Sequence, residues 1–196
     1  FVVEALDPDG VKVEVIFGMK TKKFNKKDLI AEPFNSGGIG KETSLRKNQP
    51  RRVGKPRSSK IKKLGHLAIN VSDPSVSFDW YNKHLGLIPS DKVELGKGSG
   101  IYVALFCRCD LGKKLTDHHS FLLQSNLSSD LISGLNHCAY EVVEVDDIFL
   151  GHEVLKDKSY KHEWGIGRHY AGSQIFDYWR SPYGHCLLYT STSPRD

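Results

Sequence analysis

The stretch Trp164–Leu188, WGIGRHYAGSQIFDYWRSPYGHCLL, runs from a Gly-rich loop carrying His169 into the aromatic run Ile175, Phe176, Tyr178 and Trp179. Ser181-Pro182-Tyr183-Gly184 follows, and then a last apolar run. Two strand-like runs around such a turn predict a β-hairpin. The N-terminus, FVVEALDPDGVKVEVIFG, has the same form around Asp7-Pro8-Asp9-Gly10. With Gly10 and Gly184 in register, Glu14 falls at the position of Leu188, a carboxylate in one copy and an apolar side chain in the other.

Working back from that hairpin, His137-Cys138-Ala139-Tyr140-Glu141-Val142 reads as a strand, and Asp146 and Asp147 as the cap of a helix to about Lys156. The same grammar occurs once before. His66-Leu67-Ala68-Ile69-Asn70-Val71 shares its His, Ala and Val, with Leu67, Ile69 and Val71 on one face and His66, Ala68 and Asn70 on the other. Asp73 as N-cap, Pro74 at the first helical position and Gly86 as the stop bound a helix carrying Phe78, Trp80, Tyr81 and Leu85. Strands are predicted around Lys92–Leu95, Ile101–Cys109 and Ser120–Gln124. The chain is thus an internal repeat of two βαβββ units, each opening on a strand that begins with a histidine.

At 196 residues the chain has room for one complete domain and part of another. It opens at Phe1 in mid-strand, without Met or a signal peptide, so it is expected to be a piece of a longer protein, residues 1–20 ending an earlier module of the same kind. No apolar run approaches the roughly 20 residues of a membrane span, so no membrane partner is expected. Cys107, Cys109, Cys138 and Cys186 form no disulfide framework and no CxxC pair, which predicts a reducing, cytoplasmic setting without a cysteine zinc site. The net charge is +5, but residues 41–63 hold ten Lys or Arg against Glu42 alone, a local +9 that leaves −4 elsewhere. A nucleic-acid arm would draw on such charge. Pro, Gly and Ser interrupt it and no aromatic residue is interleaved for stacking, which favours a connecting segment over residues 21–63, with one weak helical patch near Lys26–Ala31. The complete domain is predicted over 64–185.

A lone histidine at a strand start is ordinarily just a polar residue there. Two at equivalent positions of paired units face one concavity, with Ala68 and Ala139 leaving room beside them. Two imidazoles and a carboxylate on one face of an octahedron suit non-haem Fe(II) and oxygen chemistry, and the last strand of a unit could deliver the carboxylate.

From Leu64 to Gly184 the chain resembles the catalytic domain of type I extradiol ring-cleavage dioxygenases, in the vicinal oxygen chelate superfamily. The matching motifs are LGHLAINVSD, FCRC with DHHSFLL, LNHCAYEV and GIGRHYAGSQIFDYWRSPYG. The resemblance implies an α+β fold, with paired βαβββ units forming a cupped mixed sheet around a metal site. It implies that His66 and His137 bind Fe(II), or Mn(II) as in some members, while a catecholic substrate and O2 take neighbouring positions. His119 matches the family's acid/base histidine, and His169 and Tyr178 the residues that hydrogen-bond substrate and oxygen. His84, His152, His162 and His185 match nothing and are expected to be ordinary surface residues. Family members often assemble as homo-oligomers.

The departure is at the third ligand. The family places Glu four residues after the last turn's glycine, and this chain has Leu188. Residues 186–196, CLLYTSTSPRD, resemble no C-terminus of the family and look like a translated transposase-adapter sequence, so that tail is expected to be non-native. Two neutral imidazoles do not offset a 2+ charge, so weakened iron binding and little turnover are expected of the chain as it stands. The competing reading is a metal-free module that binds a small aromatic molecule in the same cavity.

Overall fold

The structure, a computed structural model, describes residues 1–21, 25, 57–126 and 132–191. Most of the basic stretch, with the helical patch at Lys26–Ala31, lies outside the described residues, as do 192–196.

The first unit comprises β3 (Ile61–Val71), α1 (Pro74–Leu85), β4 (Leu87–Glu94), β5 (Tyr102–Cys109) and β6 (Phe121–Ser125), after an N-terminal hairpin of β1 (Val2–Leu6) and β2 (Lys12–Ile16). The second comprises β7 (Gly134–Val142), α2 (Val145–Asp157), β8 (His162–Arg168), β9 (Ile175–Arg180) and β10 (Cys186–Thr190). Both are βαβββ, as the repeat predicts. They join in one eight-stranded sheet, β4-β5-β6-β3-β7-β10-β9-β8, whose centre is the antiparallel pair β3 and β7. The pairs β3/β6 and β7/β10 are parallel, so the sheet is mixed.

The local signals of α1 act as read. The Asp73 carboxylate accepts from the backbone N–H of Ser75 and Val76 at 2.7 and 3.3 Å, and Gly86 ends the helix at φ 68°, a left-handed conformation that glycine adopts without a Cβ clash. α1 covers the back of the first unit. There Ile69, Val71, Tyr81, Leu87, Leu105 and Leu123 form a closed apolar core, each large aliphatic side chain contributing about 1.5–3 kcal/mol by leaving water.

Three local expectations shift. The cap of α2 is Glu144, which makes no side-chain capping bond, while Asp146 and Asp147 lie inside the first turn. Asp147 is instead fully buried, accepting from Arg57 and from the Lys60 backbone N–H. β4 begins at Leu87, five residues before the expected Lys92, because an edge strand tolerates Pro89 and absorbs it in a register shift. β3 begins at Ile61, ahead of the expected boundary at Leu64, since Lys62 and Lys63 pair with buried Glu141 and Lys63 also with Asp117. The end of the basic stretch is therefore bound to the domain. At the other end, Cys186–Thr190 of the expected tail forms β10, between β7 and β9.

The hairpin docks through its turn. Asp7 accepts from the Tyr81 hydroxyl at 3.0 Å, and Asp9 accepts from the Ser72 backbone N–H and the Ser133 hydroxyl at 3.0 and 2.8 Å.

Candidate active site

The register of the two central strands builds the site. His66 lies opposite Ala139, and Ala68 opposite His137, so each imidazole projects beside the other strand's alanine. Both alanines are fully buried and leave the rings free to meet, with the two Nε2 atoms 3.0 Å apart. A cavity of about 440 Å³ opens over them. It brings together every predicted site residue, His66, His119, His137, His169 and Tyr178, and Leu188 as well.

Burial holds the imidazoles neutral. Desolvation lowers His66 from the usual 6.5 to about 2, reinforced by the neighbouring His119 and His137. His119 and His137 are each pushed down to about 4 by the same loss of water, with the charge of His118 adding to it at His119 and that of His169 at His137. A neutral imidazole keeps a lone pair for a cation or a proton. At His137 the tautomer is set from behind. Its Nδ1–H donates to the Asn136 side-chain oxygen at 2.7 Å, and the Asn136 amide donates to Asn70 at 2.9 Å, which orients Asn136 and leaves the Nε2 lone pair facing the cavity. Asn136 was not among the predicted residues, although its place beside the histidine in Leu135-Asn136-His137 is the signal for it.

His119 reaches the cavity from two residues ahead of β6, its ring 4.3 Å from that of His66 and edge-on to Phe106 at 5.0 Å. Its Nδ1 meets His118 Nδ1 at 3.1 Å, so Nε2 is the nitrogen left for the cavity. Across the cavity, Tyr178 stacks on Trp164 and its hydroxyl meets His169 Nε2 at 3.3 Å. Burial raises the Tyr178 phenol to about 12, which keeps it a proton donor at neutral pH.

Position 188 is where the third ligand is expected. Leu188 on β10 pairs with Ala139 on one side and Tyr178 on the other, is 2 % exposed, and packs against Ala139, Phe176 and Tyr178. Its isobutyl group offers no donor atom. Glu141, four residues after His137 on β7, accepts from Lys62 at 2.7 Å and faces Lys63, so it is committed elsewhere. His66 and His137 thus fit a borderline divalent cation in two positions, and Leu188 fails it in the third.

The histidines expected at the surface divide. His84 rests on Trp80 of α1 and His185 lies exposed beside Tyr183, as ordinary surface residues do. His152 and His162 instead converge on Asp177, a fully buried carboxylate. The sequence signal was Asp177 itself. Alternation along Ile175–Arg180 places it on the face opposite Tyr178, inside an apolar run, and a carboxylate buried there needs donors.

A family model described as the Glyoxalase/Bleomycin resistance protein/Dioxygenase superfamily matches residues 63–187. The chain belongs to that superfamily. Within the superfamily it is 29 % identical over 185 residues to metapyrocatechase 2 of Cupriavidus necator, covering 94 % of this chain and 51 % of the relative. It is 25 % identical over 189 residues to the 3-methylcatechol 2,3-dioxygenase of Pseudomonas putida, covering 95 % and 54 %. The chain therefore spans about half the length of the curated relatives it matches, and the resemblance to extradiol dioxygenases is borne out. Among solved structures, the 2,3-dioxygenase LapB of Pseudomonas sp. KL28 shares the fold at TM-score 0.69 and 12 % identity, over 100 % of this chain and 59 % of that one. The Mn(II)-bound glyoxalase of Novosphingobium aromaticivorans does so at 0.65 and 23 %, over 99 % and 50 %. These likenesses carry the vicinal oxygen chelate fold, α+β with paired units, and nothing finer. Among the described residues no helix is long and apolar enough to cross a membrane.

Proposed function

We propose that this chain derives from an Fe(II)-dependent extradiol dioxygenase, an oxidoreductase that opens a catecholic ring and incorporates both atoms of O2, and that Leu188 leaves its own metal binding and turnover impaired. The observation that carries this reading is the convergence of His66, His119, His137, His169 and Tyr178 on one cavity with an apolar wall of Val93, Phe106 and Leu122. His66 and His137 would hold Fe(II), or Mn(II), which when bound supplies electron transfer from the catechol to O2. The remaining roles belong to the chain's own groups. The neutral His119 imidazole takes a proton from a catechol hydroxyl and returns it later. Tyr178 and His169 hydrogen-bond the substrate oxygens, and the apolar wall seats the ring. The proposed setting is cytoplasmic, the intact protein a homo-oligomer, and the basic stretch a connection rather than a nucleic-acid arm.

Leu188 itself favours the second reading, in which the same cavity binds a small aromatic molecule without a metal. The two are separated by an anaerobic Fe(II) titration with catechol, followed by air, on this chain and on a variant with Leu188→Glu and a last strand rebuilt to the family pattern. A yellow ring-opened product from the rebuilt chain alone supports the dioxygenase. Catechol binding by both chains, with iron held by neither, favours the binding module.

A further inference from the structure

On the face of the sheet away from the cavity, α2, β8 and β9 bring His152, His162 and Asp177 together, with donor atoms all within 4.8 Å of one another. His152 Nδ1 is 3.0 Å from one carboxylate oxygen of Asp177, and His162 Nε2 is 2.9 Å from the other. The two rings stand 5.0 Å apart and edge-on to each other. Trp179 Nε1–H donates to the same carboxylate from the side, the kind of outer partner that orients a ligating group. Asp177 is fully enclosed, whereas the His152 and His162 side chains are 20 % and 34 % exposed, so solvent reaches the cluster past the imidazoles.

We propose that His152, His162 and Asp177 form a divalent-metal site, suited to Zn(II), that fastens α2 to β8 and β9 behind the histidine-lined cavity. Two imidazole nitrogens and a carboxylate oxygen are a donor set that zinc takes, with water as the fourth ligand. Tetrahedral ligands at zinc bond lengths stand about 3.3 Å apart, so the two nitrogen-to-oxygen spacings, each to its own carboxylate oxygen, need to widen by a few tenths of an ångström, while the longest donor spacing, up to 4.8 Å, closes as the imidazoles turn toward one ion. On loading, the ring proton now directed at Asp177 is lost to solvent and the other ring nitrogen carries the N–H, which frees the lone pairs of His152 Nδ1 and His162 Nε2 for the ion. In the cavity the expected ligand positions offer His66 and His137 with leucine at the third, while this cluster brings two imidazoles and a carboxylate within reach of one another, so in this chain the tighter zinc site is on the back of the sheet. The inference does not depend on the dioxygenase reading.

The test is Zn(II) competition against a chromophoric chelator, with Co(II) absorption as a readout of tetrahedral N/O coordination, on the metal-free chain and its variants. The chain and the double variant His66→Gln/His137→Gln should each take up one tight zinc with similar Kd. His162→Gln should lose more than the roughly 10–100-fold in affinity that removal of an outer partner costs, and Trp179→Phe should lose about that amount. His152→Gln removes a different ligand and should match His162→Gln, which guards against a misfolded single variant. Zinc binding that survives both back-face substitutions and disappears from the cavity double variant overturns the proposal. So does absence of uptake by a chain whose circular dichroism and cooperative unfolding show it folded, which would leave a hydrogen-bonded latch and no more.

Discussion

The two βαβββ units correspond position by position. Leu122 pairs with Ala68 in the first as Leu188 pairs with Ala139 in the second, and their next partners outward are Phe106 and Tyr178. One step back along those outer strands stand Leu105 and Asp177, both on the face away from the cavity and both fully enclosed. The first unit closes that face with hydrocarbon; the second closes it with a carboxylate and three N–H donors, from His152, His162 and Trp179. On the cavity side the second unit likewise has a phenol where the first has a plain ring. The shared frame sets the positions, and at these two the second unit carries polar groups where the first carries hydrocarbon.

Substitutions that exchange the two halves should break that comparison most strongly on the back face. Leu105→Asp places a carboxylate in an apolar core with no donor arranged for it, and should cost at least about 4 kcal/mol in urea unfolding. Asp177→Leu, the reverse exchange, should cost about 3 kcal/mol by stranding its donors. A stabilised Asp177→Leu chain would show that the second unit is held by packing alone.

In the cavity, supplying the carboxylate sharpens the comparison. Leu188→Glu should tighten Fe(II) binding by about 10²–10³-fold, roughly 3–4 kcal/mol, within the range typical of giving a buried charge its counter-charge. The units' correspondence extends the expectation to Leu122→Glu, since Leu122 also lines the cavity and occupies the equivalent register. Isothermal titration of both variants settles whether the halves are interchangeable as ligand positions. Tyr178→Phe makes the second unit like the first at that ring. In the Leu188→Glu background it should lower kcat about 10²-fold while folding stability moves by roughly 1 kcal/mol, the worth of one hydrogen bond.

The smallest expected effect is on pH dependence. His66, His119 and His137 are held below the unfolded value of 6.5, at about 2, 4 and 4, so between pH 6.5 and 4 the unfolded chain binds more protons than the folded one. Their neutral forms thus favour the fold above pH 6.5, and stability should fall as pH drops through that window, by at most about 1.4 kcal/mol per pH unit for each imidazole. Chemical denaturation of the chelator-treated chain at stepped pH measures it. A flat profile would place water around the rings.

What was legible in the sequence was what is encoded locally or repeated. Asp73, Pro74 and Gly86 bound α1 within one segment, and the doubled His-x-Ala pattern places His66 and His137 because two copies of one strand must pair. The failures share a cause. Asp147 looks like a cap until Arg57, some ninety residues earlier, is found against it. His152 and His162 look like surface residues until β9 presents Asp177. Contacts between elements distant in the chain leave no periodicity to read, and a buried acid within an apolar run is the one local hint they leave.

The register that sets His66 opposite Ala139 and Ala68 opposite His137 also makes the centre a check on assembly. A slip of two residues one way would put the imidazoles face to face, and the other way would move them apart by twice the present offset. Either slip keeps the apolar alternation of both strands intact, so hydrophobic patterning alone is blind to it. A cation that needs both nitrogens at once is not blind to it. In any relative with a full ligand set, metal uptake would proofread the pairing at the middle of the sheet, rewarding only the chain that has closed in the right frame.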